Sequence, residues 1–575
     1  MKKLLCALLA IVMIATVFAG CSKPGAQSSD SSKTESSSAQ SAGDSSKTDD
    51  EKSLVNTDSL YPVVNEPVSM SVAVRTGPDD LEPDEKWFYR WWKNASGVDI
   101  EFININADAL GERRSVMLAS ETLPDVMYSF GWSNADMLNY GQKEGFFAVL
   151  NDAIDKYGDK INEKLDACPG AREGVTLPDG NIYSIPQMTD FPDTVAFSSQ
   201  NYSINTTWLQ NLGLDKPATL DEFYETLKAF KEKDANGNGD ATDEIPWSGL
   251  WVSTINRNII LLAYGIVSNG DFGGPALKDG KVTYAPVDDD YINYLTFMRK
   301  LYSEGLLDQD VFSQEETALT AKGNEMRVGV LVGGPYYFTG LDNDNYAQYE
   351  SFTLVSDSSR KPVSYMAYAF NPGFITISST CEHLDVAVRL VNMLYDDCIN
   401  IMQFYGPEKG SEYDDDYAKE LDFGYENVYD DNGDWYDYTF PGYNEEKDGS
   451  LWAYLCRHCM CAAGNAFTGV LARMNYYNAD PLANGTPYEE KWRSSNRENI
   501  LPYIQYGYPV VYLDDASLER INEIATPLSD YALQMEAKFI TGAESLDNYD
   551  AYLEEMKRLG SDEYIQIYTD AYNNK

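Results

Sequence analysis

The sequence predicts an α/β protein of two or three lobes with a helical C-terminus. Three observations predict it. The chain has 575 residues, well beyond the roughly 100–200 that one domain uses. From Val68 onward, strand-like and helix-like segments alternate, the pattern of a parallel sheet with helices on its faces. The last stretch, from Ser517, is amphipathic and mostly helical in spacing.

The N-terminus is a separate matter. Lys2 and Lys3 precede "LLCALLAIVMIATVFA", Leu4 to Ala19. That run has the length of a signal-peptide apolar core and is short for a membrane span. It closes in "FAGC", Phe18 to Cys21. Small residues directly before a cysteine resemble the lipobox of bacterial lipoproteins. The likeness implies a signal peptide over 1–20 and a lipid on Cys21. Residues 22–53 carry almost no large apolar side chain, so they cannot bury enough surface to order. The stretch 21–60 is therefore expected to be a Ser-rich tether holding a body near a membrane. No later stretch is long and apolar enough to span one.

In the body, "VSMSVAV" reads as a strand and "DEKWFYRWWKNASG" as a helix closed by Gly97. "VDIEFINI" is a strand, "ADALGERRSVMLASE" a helix and "PDVMYSF" a strand. In parallel sheets ligands bind beyond the carboxyl ends of the strands. The loop "SFGWSN" places Trp132 there. "NYSINTTWLQNLGLDKP" reads as a strand running into a short helix. "TLDEFYETLKAFKEK" is a helix with a capping box, Thr219 with Glu222. Its Phe223, Leu227 and Phe230 share one face. Further on, "DDYINYLTFMRKLYSEGLL" is helical, "RVGVLVGGPYYFTG" a buried strand ending in a Gly-rich aromatic loop, "FNPGFITISS" a strand and "HLDVAVRLVNMLYDD" a helix.

Composition narrows the function. Acidic residues outnumber basic ones 91 to 44, a formal charge of −47. Nucleic acid is excluded as a partner, because phosphate binding needs a basic footprint. His383 and His458 are the two histidines, so a histidine base has few candidates. There is no nucleophile elbow, no HExxH and no phosphate loop. Carboxylates are too abundant for their pairing to indicate a glycosidase.

One loop carries ligand chemistry. In "DANGNGDATDEI", Asp234, Asn236 and Asn238 stand at positions one, three and five of an EF-hand-type loop. Gly239 stands at the sharp turn and Asp240 at position seven. Position twelve is Ile245 rather than Glu, and Pro246 opposes a following helix. The alternative is an Asn-Gly turn. "CRHCMC" offers Cys456, His458, Cys459 and Cys461. It lacks the distant second ligand pair of a zinc site, and its apolar surroundings read as a buried helix.

"ASETLPDVMYSFG", "INTTWLQNLGLDKPATLDEFYETLKAFKEKDANGNGD", "DDYINYLTFMRKLYSEGLLDQDVF", "GFITISSTCEHLDVAVRLVNMLYDD", "FYGPEKG" and the closing "MEAKFITGAESLDNYDAYLEEMKRLGSDEYIQIYTDAY" together carry a family likeness. In order and spacing the chain resembles the extracellular solute-binding proteins of bacterial carbohydrate ABC importers, within them the lipoprotein branch that includes alginate-oligosaccharide binders. The resemblance implies a periplasmic-binding-protein-like fold of two α/β lobes joined at a hinge. The first would take residues 61–195 with about 368–470, the second 196–367 with about 471–575. It implies a monomeric receptor, not an enzyme, that closes over an oligosaccharide and hands it to a membrane permease at the extracytoplasmic face. The aromatic excess, 42 Tyr and 10 Trp, suits sugar rings, whose C–H faces stack on aromatic side chains. Expected contacts are Trp132, Trp251, Tyr336, Tyr337 and Trp435, with Asn134, Asp136 and Arg257 as polar partners. The related proteins also carry a structural calcium loop that ends in an Asp-Glu pair. Asp234, Asn236, Asn238, Asp240, Asp243 and Glu244 would hold Ca2+ here. The pair sits one residue later than in that pattern, which leaves open whether Asp243, Glu244 or both ligate.

Overall fold

The computed structural model describes residues 53–77, 80–189, 202–251, 255–268, 272–332, 348–429, 435–449, 451–459 and 494–574. β1 (Val68–Thr76), β2 (Val98–Asn106), β3 (Val126–Trp132) and β4 (Ser184–Met188) come first. β5 (Tyr202–Asn205) and β6 (Ile245–Trp247) follow. β7 (Ile266–Val267), β8 (Ala276–Lys278) and β9 (Lys281–Thr283) form a small antiparallel sheet. β10 (Val328–Val332), β11 (Tyr349–Ser351), β12 (Ser364–Met366) and β13 (Phe370–Ile377) come later.

The first sheet has the order β2-β1-β3-β13-β4 and the second β11-β5-β10-β6. β1 is parallel to both neighbours, with Val72 facing Phe102 and Val126. Val72, Ala73 and Val74 are all buried, because helices cover both faces of this part of the sheet. The wholly parallel sheet expected from the alternation is a mixed one. β13 runs antiparallel to β3 and β4, since it enters from the chain that built the second sheet and not through a crossover helix. In the second sheet β10 is parallel to β6 and antiparallel to β5.

The helix Trp87–Ser96 inserts Trp87, Phe88, Tyr89, Trp91 and Trp92 into the first core and ends at Gly97, whose φ of 73° suits glycine. That core also takes Val386–Leu394 and the helix Leu451–His458. The second core combines Tyr202–Val363 with side chains of the long helix Asp515–Thr541 and of the helices Tyr549–Leu559 and Ser561–Asn573. Among the described residues no helix is long and apolar enough to cross a membrane.

Candidate functional site

The carboxyl end of β3 is where the chain passes between sheets. Met188 of β4 pairs with Phe370 of β13, and Trp132 of β3 pairs with Gly373. A Cβ on Gly373 would lie 2.0 Å from the Trp132 carbonyl oxygen, so only glycine permits this approach. Trp132 closes β3 instead of opening a loop. It is 3% exposed and packs on Phe130, Tyr140 and Phe147. Its Nε1 donates to Thr376 Oγ1 at 3.0 Å, and Arg114 lies over its ring.

Beside this edge lies a cavity of about 1260 Å³. Leu138, Gln142 and Lys143 reach it from the segment after β3, and Gly170 to Pro178 from the short helix Ala171–Val175 and its flanks. Tyr368, just before β13, Tyr506 to Asp515, and Ile567 to Asn574 complete it. Tyr368 and Tyr506 stack with centroids 4.9 Å apart. The approach depends on glycines: a Cβ on Gly170 would meet the Tyr368 ring at 2.7 Å, and one on Gly174 the Phe370 ring at 2.3 Å. Tyr512 donates its hydroxyl to the Gly174 carbonyl at 2.8 Å, which ties the 504–514 segment to the first sheet's side. Burial pushes the Tyr506 phenol up to about 12 and raises that of Tyr368. Both stay neutral and able to donate. The wall thus offers flat apolar faces and hydroxyl groups, the combination that ligand clefts use.

Asn134 lines a smaller adjoining recess with Tyr508 and Val510. Asp136 is committed locally: its carboxylate accepts from the Ser133 backbone N–H and hydroxyl, both at 2.9 Å. Trp251 and Arg257, expected at a cleft, sit in the interior. Trp251 is 8% and Arg257 3% exposed. Both bond the fully buried Glu536: Trp251 Nε1 at 2.9 Å, Arg257 Nη2 at 2.9 Å and Nε at 3.1 Å. Tyr294 adds its hydroxyl at 2.7 Å. Trp132, Trp251 and Arg257 therefore hold the fold together and line none of the cavity. Tyr336, Tyr337 and the Trp435 side chain lie outside the described residues, as do Cys21 and Cys461.

The acidic loop folds around its own backbone. Asp234 accepts from Gly239 N at 2.9 Å, and Glu244 from Ala235 N at 2.8 Å. Asn236 and Asn238 accept from the N–H groups two residues on and turn their amides to Asp243 at 3.2 and 2.9 Å. Asp240 holds Thr242 N at 3.0 Å. Two buried carboxylate oxygens, Asp234 Oδ1 and Glu244 Oε2, have no hydrogen-bond partner. Such oxygens fit a hard cation. Ile245 and Pro246 continue as β6 rather than as an exiting helix. No three His, Cys, Asp or Glu side chains converge among the described residues, so a full ligand set here needs the Asn236 and Asn238 carbonyls as well. Cys456 and Cys459 are buried, and Cys459 Sγ lies 3.5 Å from the Met402 carbonyl.

Tyr368, Tyr506 and Tyr512 were not picked out by sequence reasoning. For Tyr506 and Tyr512 the signal is "YIQYGYPVVYLDD", four tyrosines in one short segment. Its one strand, Ile504–Tyr506, is three residues long and too short for an alternating pattern to mark.

The model of the family described as bacterial extracellular solute-binding protein matches residues 79–397, more than half of the chain. The chain is a bacterial extracellular solute-binding protein. This solute-binding protein is 28% identical over 514 residues to the fructooligosaccharide ABC transporter substrate-binding protein FusA of Streptococcus pneumoniae, covering 85% of this chain and 88% of that relative. It is 36% identical over 272 residues to lipoprotein LipO of Bacillus subtilis, covering 44% and 47% of the two. Among solved structures it superposes on the solute-binding protein from Bifidobacterium longum infantis associated with HMO binding. The TM-score is 0.65 at 23% identity, covering 88% of this chain and 99% of that one. That likeness establishes the two-lobed α/β fold. A solute-binding protein captures ligands and does not transform them, so it is not an enzyme.

Proposed function

We propose that this solute-binding protein captures an oligosaccharide between its lobes and delivers it to an ABC-type importer. The observation that carries the reading is the tyrosine-walled cavity of about 1260 Å³ at the carboxyl edge of the first sheet. Its volume suits several sugar rings, its stacked tyrosines suit their C–H faces, and its neutral phenols suit their hydroxyls. The similarity to a fructooligosaccharide-binding relative along most of the chain supports the same ligand class. A thermal-shift screen of the purified body against oligosaccharides and peptides tests it, because a ligand that binds the native state raises the melting temperature. Stabilisation by sugars that are recovered intact is expected. Stabilisation by peptides alone would sink the sugar reading.

The lipobox-like sequence supports anchoring through Cys21, and the similarity to a lipoprotein points the same way. Cys21→Ala is expected to move the protein from the membrane fraction to the medium. For the loop at 234–244, Asp234, Asn236, Asn238, Asp240, Asp243 and Glu244 would hold a structural Ca2+, which would partner the orphan oxygens of Asp234 and Glu244. Removing a bound cation uncouples its binding energy from folding. EDTA is therefore expected to lower the melting temperature and added Ca2+ to restore it, with no response in Asp234→Ala.

A further inference from the structure

The charges around the cavity bear on which sugars it takes. Among the described residues two cationic side chains line it, Lys143 and Arg172. Each is already engaged by an acid of the chain. Lys143 Nζ bonds the Asp515 carboxylate and reaches Asn139 Oδ1 at 3.3 Å. Arg172 gives its Nε to Asp166 at 2.8 Å and its Nη2 to Asn162 at 3.0 Å. The same wall carries four carboxylates, Glu173, Asp514, Asp515 and Asp570. With Lys143 set against Asp515 and Arg172 against Asp166, three negative charges remain. Asp514 keeps its charge firmly. Its carboxylate accepts from Ser517 N at 2.7 Å, capping the long C-terminal helix, and this bond holds its pKa low. The charge of Glu173 extends to the aromatic wall, where it adds to burial and Tyr572 in raising Tyr368. Arg114, next along the sheet edge, is occupied by the Phe130 and Gly131 carbonyls at 3.1 and 3.2 Å.

A uronate brings a carboxylate on every ring. Binding one calls for a guanidinium or ammonium free to pair with it. This wall would meet it with like charge, which is a device for rejecting a wrong partner. We infer that the cavity selects neutral oligosaccharides and discriminates against uronate-containing ones. The inference rests on the oligosaccharide reading of this cavity. Neutral sugar hydroxyls donate to the rim carboxylates, so the same acids that repel uronates serve as acceptors for neutral rings.

Isothermal titration of the purified body with matched probes tests this. The probes are neutral fructo-, gluco-, galacto- and xylo-oligosaccharides from tri- to pentasaccharide, and oligogalacturonates of the same lengths. Binding of a neutral series at least about tenfold tighter than any oligogalacturonate is expected, the scale of like-charge repulsion at partly screened distances. Raising the salt should narrow that gap. In the double variant Glu173→Gln/Asp570→Asn, the ratio of neutral to uronate affinity should fall by about tenfold. Equal or tighter binding of an oligogalacturonate overturns the inference and leaves oligosaccharide capture standing. An unchanged ratio in the double variant overturns the assignment of discrimination to this wall. Failure of both probe series overturns the capture reading and the inference together.

Discussion

Single side chains decide how this protein answers to pH. His458 lies on the buried helix Leu451–His458 with its ring 4.6 Å from Phe423, and its Nδ1 has no partner. Burial, helped by the charge of Arg457, lowers its pKa from 6.5 to about 4. The folded chain therefore holds it neutral, while an unfolded chain takes up a proton below about 6.5. Its contribution is complete above that pH and is lost as the pH falls toward 4, because the unfolded state then binds the extra proton. The urea midpoint should drop between pH 7 and pH 5, and by less in His458→Phe. The Glu536 cluster is held together by mutual need. Glu536→Gln leaves Arg257 buried without its counter-charge, an arrangement that costs about 3–5 kcal/mol. Chemical denaturation of the two proteins measures it. Trp251 and Arg257 are expected to act on stability, since both are spent on Glu536.

At the scale of elements, the helix Leu220–Glu232 shows how local rules reach a site. Thr219 Oγ1 accepts from Glu222 N at 3.2 Å, and the Glu222 carboxylate returns to Thr219 N at 3.1 Å. Phe223, Leu227 and Phe230 are fully buried. The helix ends at Glu232 and delivers the chain into the 234–244 loop. Thr219→Ala should cost about 1 kcal/mol in equilibrium unfolding, as loss of a helix cap does. This helix, β1 to β3, and the fold class were legible because period and caps are local properties. The capping residues stand three apart, and the buried ones recur every three or four. The antiparallel entry of β13 was not legible. "FNPGFITISS" reads as a strand in either direction, and only the return of the chain from the second sheet sets its sense. The aromatic residues divide for the same reason. Trp132 and Trp251 look like surface candidates because each stands near a strand end or loop in the sequence. Their neighbours in space, Thr376 and Glu536, lie 244 and 285 residues away. Tyr506 and Tyr512 gain their meaning from Tyr368 and Gly174, which lie 138 and 338 residues away in the chain.

Across the whole molecule, neither core is built from one continuous stretch. The first draws on Val55–Met188 and then on Phe374–Cys459; the second draws on Tyr202–Val363 and then on Ile521–Tyr564. The helix Asp515–Thr541 contributes Ile521, Ile524, Leu528, Ala532, Met535, Phe539 and Ile540 to the second core, together with the carboxylate of Glu536. A chain ending at Asp514 would expose that apolar surface, which is worth roughly 1.5–3 kcal/mol for each large side chain. It would also remove the carboxylate that faces the buried Arg257. The total exceeds the 5–15 kcal/mol by which native proteins are ordinarily stable. Truncation after Asp514 is therefore expected to give an insoluble product or one without a cooperative transition, even though the second sheet and its loops remain in the sequence. The first core, complete without those helices, gives the contrast. Hydrogen exchange on the intact protein should show amides of Asp515–Thr541 opening together with those of β5 and β10, and separately from those of β1 and β3. Exchange of the C-terminal helix at a much lower free energy than β10 would show that it is an appendage, and the discontinuous second core would then not be a cooperative unit.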